Sequence, residues 1–275
     1  MTVIEAFLHY AFMQRALLSA IIVGLLCGVV GVLIVEKRLV MMSGGIAHTA
    51  YGGVGLGYFA GFSPLLGAIL FSLSAAFGIG ALRRRGGEKT DVFISLFWSL
   101  GMAAGIVFVA LSASYPPDLN SYLFGNILTV TSADLWLMAG VAALVLLLVG
   151  IFFEDLRAYL FDETFASVSG MCVRVLEYLL LGMIALTVVV LLRVTGIMLA
   201  IALLSAPAAT AAMLTRRLLP RMLTAAGLSV AFSLCGLLVS YYLDIPSGAT
   251  IVVLAVLTYA ATYGARALMA RRSGK

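Results

Sequence analysis

Runs of about 20 consecutive apolar residues recur along this 275-residue chain, and each is long enough to cross a bilayer as a helix. Hydrocarbon offers no partner to a backbone N–H or C=O, so spanning segments form either helices or a closed barrel. A barrel needs short stretches of alternating polarity, whereas these runs are continuously apolar. The sequence therefore predicts an all-α integral membrane protein, one polytopic helical bundle over residues 1–275 with no room for a sizeable soluble domain. Charge content agrees. Charged residues make up 11% of the chain, against about a quarter in a soluble domain.

Apolar runs, charges and Gly/Pro punctuation place nine spans near 16–35, 39–60, 63–82, 92–113, 135–153, 173–193, 196–215, 222–242 and 249–269, with eight as the alternative count. Residues 1–15 contain Glu5 and His9 and lack a basic start, so they read as an interfacial helix and not as a cleaved signal peptide. Threading the spans alternately leaves Arg15 and Arg193 on one side and the other 15 of the 17 Lys and Arg residues on the opposite side. The basic side is cytoplasmic by the positive-inside rule, which puts the N-terminus outside and the C-terminus inside. The net charge of +5 thus belongs to membrane loops and membrane lipid, not to nucleic acid. Cys27, Cys172 and Cys235 are scattered, form no CxxC pair and suggest neither a disulfide framework nor a zinc cluster.

Two connections stand apart. The outer loop 114–134 is long, broken by proline and free of Lys and Arg. The inner segment 154–172 is too polar to span yet has helical spacing, which suits either a docking surface or a solvated linker. Glycines at four-residue spacing (Gly24/Gly28, Gly53/Gly57/Gly61, Gly101/Gly105) permit close helix approach within a bundle or across a dimer.

No phosphate-binding loop of the G-x-x-x-x-G-K-[ST] type occurs, so ATP hydrolysis by that route is excluded. Ionisable groups deep in a membrane are costly and point to function. His48 is the one histidine well inside a span, with Ser43, Thr49 and Tyr51 on nearby turns and Gly44, Gly45, Gly52 and Gly53 leaving space beside the helix. Neutral imidazole suits a transition-metal ion, while the alternative is a ring hydrogen-bonded to a neighbouring helix. Asp91 opens the fourth span, where it serves as a helix cap or lines an ion path. Asp118, Asp134 and Asp244 face outward, drawing cations or simply solvated. Ser205, Pro207 and Thr210 interrupt the seventh span, and Pro207 marks an expected bend.

Four stretches resemble the membrane permease subunits of bacterial ABC importers for zinc, manganese or iron. They are LVMMSGGIAHTAYGGVGLGYFAG (39–61), YLFGNILTVTSADL (122–135), FDETFASVSG (161–170) and LRVTGIMLAIALLSAPAATAAMLTRR (192–217). The first is similar to the family's G-D-x-x-[SA]-H-[AS] span and the second to zinc-type members. The third resembles the D-x-x-[FY]-A-x-x-x-G docking stretch, and the fourth the [RK]-x-[VT]-G-x-x-L-[VI]-x-x-L-L-x-x-P-A-A-[TI]-A signature. The resemblance implies a large-bundle (type II) importer permease in the bacterial inner membrane that forms a homodimeric pore. It implies two copies of a separate ATPase, ATP bound there and not on this chain, and an extracytoplasmic metal-binding protein. Coupling to the ATPase would fall to Asp162, Glu163, Phe165, Ala166 and Gly170. The metal pathway would use His48 with Ser43, Tyr51 and Asp91. The family's acidic residue is replaced by Gly45, three positions before His48, so Ser43, Tyr51 or backbone carbonyls are expected to substitute for it. Zinc is the first expectation because of 122–135, then manganese or iron. A metal chelate and an ion-coupled secondary transporter are the alternatives, the latter disfavoured by the lack of a paired intramembrane carboxylate.

Overall fold

The computed structural model describes residues 10–84, 90–112, 125, 127–194, 196–243 and 245–273, and all regular structure among them is helical. In chain order the helices are α1 (Ala11–Glu36), α2 (Val40–Ala60), α3 (Pro64–Arg84), α4 (Thr90–Leu111), α5 (Ser132–Ile151), α6 (Phe153–Phe161), α7 (Glu163–Val168), α8 (Val173–Val194), α9 (Gly196–Leu214), α10 (Leu218–Leu243) and α11 (Ser247–Ser273). The nine expected spans reappear as the long helices, and the inner segment becomes the short pair α6 and α7. One boundary needs correction. Residues 11–15 continue α1 instead of forming a separate interfacial helix, because Phe12 and Met13 extend the apolar run and Arg15 turns back to the Ala11 carbonyl at 3.2 Å. Residues 1–9 of that expected helix lie outside the described residues.

Among the described residues, seven helices are long and apolar enough to cross a membrane; α9 contributes a shorter apolar stretch, Ala200–Leu214, and α2 is less apolar. The lower apolarity of α2 has a simple cause. Of its 21 residues, 15 are buried inside the protomer, so protein and not lipid solvates its glycines, His48 and Thr49. The bundle core runs along α1 and α8, whose apolar stretches are 67% and 72% buried, against 17% for α4 and 11% for α11. The outward faces of α4 and α11 carry exposed Leu96, Leu100, Val107, Val253 and Leu257, as a lipid-facing surface requires.

Glycine sets the closest crossings, all within one protomer. A Cβ at Gly24 of α1 would stand 2.6 Å from Val230 of α10, and one at Gly28 would collide with the Ala226 backbone. Gly53 of α2 faces Gly67 of α3 too closely for any side chain, and Gly57 meets Pro64. Gly52 and Gly55 of α2 lie against the carbonyls of Gly101 and Gly105 of α4. These spacings therefore build the bundle itself. Between α1 and α2 the turn is only Lys37–Leu39, with Arg38 in the left-handed region at φ 57°.

Pro207 does not interrupt its helix, since α9 runs continuously from Gly196 to Leu214. Ser205 and Thr210 bond back to the Ile201 and Ala206 carbonyls at 2.7 and 2.8 Å, which keeps their hydroxyls satisfied in an apolar setting. At one end of the bundle three ion pairs join connections far apart in sequence: Lys37–Glu163, Arg84–Glu177 and Arg221–Glu36. The basic loops that charge counting assigns to one side do meet there.

Candidate functional site

His48 sits mid-way along α2, 8% exposed, and its buried Nδ1 makes no hydrogen bond. A buried nitrogen left unpaired costs about 1–3 kcal/mol, so its persistence calls for a reason. The ring stacks on Trp98 of α4 with centroids 4.2 Å apart and planes inclined by 20°. Two features bring the indole there. Gly44 leaves the room, since a Cβ on it would come within 2.8 Å of the Trp98 ring. The Thr49 hydroxyl, hydrogen-bonded to the Gly45 carbonyl at 2.8 Å and the Phe97 carbonyl at 3.1 Å, pins α2 to α4 beside it.

Of the other expected pathway residues, Ser43 and Tyr51 share α2 with His48, and Asp91 lies on α4. Ser43 is buried and donates to the Val40 carbonyl at 2.8 Å. Tyr51 is buried with its ring against Gly105 of α4. Asp91 is exposed in the first turn of α4, seven residues before Trp98 and so about 10 Å away along the helix axis. No group of three His, Cys, Asp or Glu side chains able to hold a metal ion occurs among the described residues. The position of Gly45 explains what replaced the family's acid. A Cβ there would meet the Ile94 side chain of α4 at 3.0 Å, its carbonyl at 3.5 Å and Ile79 of α3 at 3.8 Å, so a larger side chain would start among isoleucines. Trp98 is the residue sequence reasoning missed. Its signal was a bulky aromatic in a span whose neighbour is cleared by glycines.

A cavity of about 340 Å³ opens between α2, α3, α5 and α8, lined by Tyr58, Ser63, Thr131, Asp134 and Val189 among others. Tyr58 is ten residues beyond His48 on α2, or about 15 Å. Asp134 is committed to the α5 capping box, accepting from the Thr131 amide at 3.2 Å and hydroxyl at 2.7 Å. Asp118 and Asp244 lie outside the described residues, as does most of the outer loop 114–134.

At the basic end lie the two short helices α6 and α7. The Asp162 carboxylate accepts from the amides of Thr164 and Phe165 at 2.8 and 3.0 Å and so caps α7. Glu163 pairs with Lys37 at 3.1 Å. Ala166 is buried, while Gly170 ends the segment at φ 83°. Phe165 and Val168 are exposed one turn apart on α7, and Phe161 is exposed at the end of α6. Phe161 and Val168 were not singled out from sequence, although the spacing is visible there. Tyr159 of α6 is buried, and burial, with the negative Glu177 and Glu163 adding, pushes its phenol above the usual range.

Comparisons with known proteins agree with this architecture. The family model described as the ABC 3 transport family matches residues 9–264. An uncharacterized membrane protein of Synechocystis is 43% identical over 261 residues, 94% of this chain and 93% of that protein. The manganese transport system membrane protein MntC of Listeria innocua is 34% identical over 259 residues, 94% of this chain and 92% of the relative. The solved structure of PsaBC from Streptococcus pneumoniae in complex with Fab superposes with a TM-score of 0.87 at 33% identity, covering 94% of each chain. A helical bundle of this order, a matching family model over nearly its whole length and a near-identical solved fold lead to one assignment: the chain belongs to the ABC 3 transport family and is a membrane permease that relies on a separate subunit for ATP hydrolysis.

Proposed function

We propose that this permease imports a divalent transition-metal ion, manganese first, across the bacterial inner membrane, and that His48 lines the ion path. The observation that carries the reading is the buried, unbonded Nδ1 of His48 on α2, a largely buried helix of low apolarity. Manganese takes precedence over zinc because the Listeria relative carries that metal in its name. The sparse ligand set suits a transient path for either metal. Zinc sites that hold their ion tightly collect four thiolate or imidazole ligands, whereas an ion path must bind weakly enough to release. A single imidazole fits the second description.

In this reading two copies of the chain enclose the pore, the basic end is cytoplasmic by the positive-inside rule, and an ATPase subunit docks on α6 and α7 there. An extracytoplasmic metal-binding protein delivers the ion at the opposite end, where the cavity beside Tyr58 and Asp134 opens. The ring of Trp98 covers His48 in this conformation, so ATP-driven rearrangement has to part α2 from α4 for the ion to reach the imidazole.

The test is uptake of radioactive manganese by cells carrying the complete importer, with zinc as competitor. His48→Ala should lower uptake at least about tenfold, the equivalent of about 1.4 kcal/mol in the transport barrier, while the ATPase still copurifies. Native uptake by the variant would remove His48 from the path, and uptake of zinc without manganese would reverse the metal order.

A further inference from the structure

Lys37 closes α1 at the basic end, and its side chain is only 10% exposed. Lysine is seldom buried unless its charge is matched, and here the matching groups all come from the α6–α7 segment. The ammonium donates to the Tyr159 carbonyl at 3.0 Å and to the Glu163 carboxylate at 3.1 Å, and it stands 3.7 Å from the centre of the Tyr159 ring. This is a hydrogen bond, an ion pair and a cation–π contact on one atom. The last two hold the segment at different points, one on α6 and one on α7.

The backbone of Lys37 belongs to a different unit. Lys37, Arg38 and Leu39 donate their amides to the carbonyls of Leu33, Val35 and Ile34 at 3.1, 3.2 and 2.8 Å. Arg38 takes the left-handed conformation that lets the chain reverse in three residues. With all three amides tied back to α1, the turn moves with the helix end. Val40 then begins α2, and His48 follows about two turns later. The adjacent Glu36 is held by Arg221 of α10, which also donates to the Thr215 carbonyl at 2.9 Å.

We propose that Lys37 is the positioning residue that transmits movement of the docking segment into the α1–α2 turn, and so to the helix carrying His48. Its side chain grips one body and its backbone is built into the other, so displacement of α6–α7 pulls on the start of α2 without passing through the lipid-facing helices. The inference rests on the reading of α6–α7 as the ATPase docking surface.

The experiment uses the permease assembled with its ATPase in proteoliposomes, measuring ATP turnover and manganese transported in the same sample. Lys37→Met keeps the length and apolar stem and removes the charge. ATPase retention should stay native, while manganese transported per ATP should fall at least about fivefold, the lower end of a coupling between two sites. Lys37→Arg should recover about half or more of the native ratio, because the cation returns although its geometry differs. Glu163→Gln should lower the ratio in the same direction, and adding it to Lys37→Met should cost nothing further, since both remove one contact. A native ratio in Lys37→Met would overturn the proposal. So would a parallel loss of ATPase retention in both Lys37→Met and Lys37→Arg, which would mean a role in folding alone. Where Lys37→Met fails to assemble, Glu163→Gln decides, because Glu163 is half exposed. Failure of the docking reading has its own signature: Phe165→Asp would leave the ATPase bound.

Discussion

His48, Arg38 and Gly45 show how far single residues carry the account. An ionisable ring in a span is visible in the sequence, because hydrocarbon makes it expensive. Its partner Trp98 is not visible, because the 49 intervening residues must fold before α4 lies over α2. Ser43 and Tyr51, the expected substitutes for the missing acid, are placed by the fold as well: Ser43 is bonded to its own helix and the Tyr51 ring packs on Gly105. Arg38 is a finding of the structure alone. A non-glycine residue at φ 57° carries a penalty of about 1–2 kcal/mol that glycine avoids. Arg38→Val should therefore unfold at lower temperature than Arg38→Gly in detergent, by an amount equivalent to about 1 kcal/mol or more. Equal midpoints would show that the α1–α2 turn adopts another conformation in solution.

At the scale of helices, the apolar runs and the alternation of charged loops were enough to place nine spans in order, since each element is defined by its own 20-residue stretch. The glycine spacings were equally plain, but a spacing says only that something approaches closely. The structure names the neighbours: α10 for Gly24 and Gly28, α3 for Gly53 and Gly57, α4 for the face of Gly52 and Gly55. Helix pairs in a membrane gain little from hydrophobic burial and depend on such contact. Gly53→Ala should push α2 and α3 apart and lower stability by about 1–3 kcal/mol or more. Gly227→Ala, with nothing within 4 Å of its added methyl, should be neutral or stabilising by up to about 1 kcal/mol. Thermal unfolding in detergent separates the two. A neutral Gly53→Ala would contradict the crossing. Pro207 teaches a similar lesson, because a proline that marks an expected bend in sequence is carried within a continuous α9.

For the whole molecule, the decisive arrangement is a basic end where α6 and α7 rest on Lys37, with Phe161, Phe165 and Val168 facing outward. Asp162, singled out from sequence for docking, is engaged as the α7 cap, so the segment turns apolar side chains outward while this acid is tied to its own backbone. If the ATPase docks there, Phe165→Ala should weaken its copurification by about 2 kcal/mol, as for a central aromatic at an interface. Unchanged retention would move the docking surface elsewhere. What the sequence by itself determined is the solvent and the elements: lipid around the chain, helices as the only way to satisfy its backbone, their order, and one imidazole among them. These follow from local composition, which each segment carries alone. What only the tertiary structure decided is adjacency: Trp98 on His48, isoleucines beside Gly45, glycines opposite named partners and Lys37 in the grip of α6–α7. Contacts of that kind depend on how rigid helices cross, and crossing is settled by shape over the whole bundle.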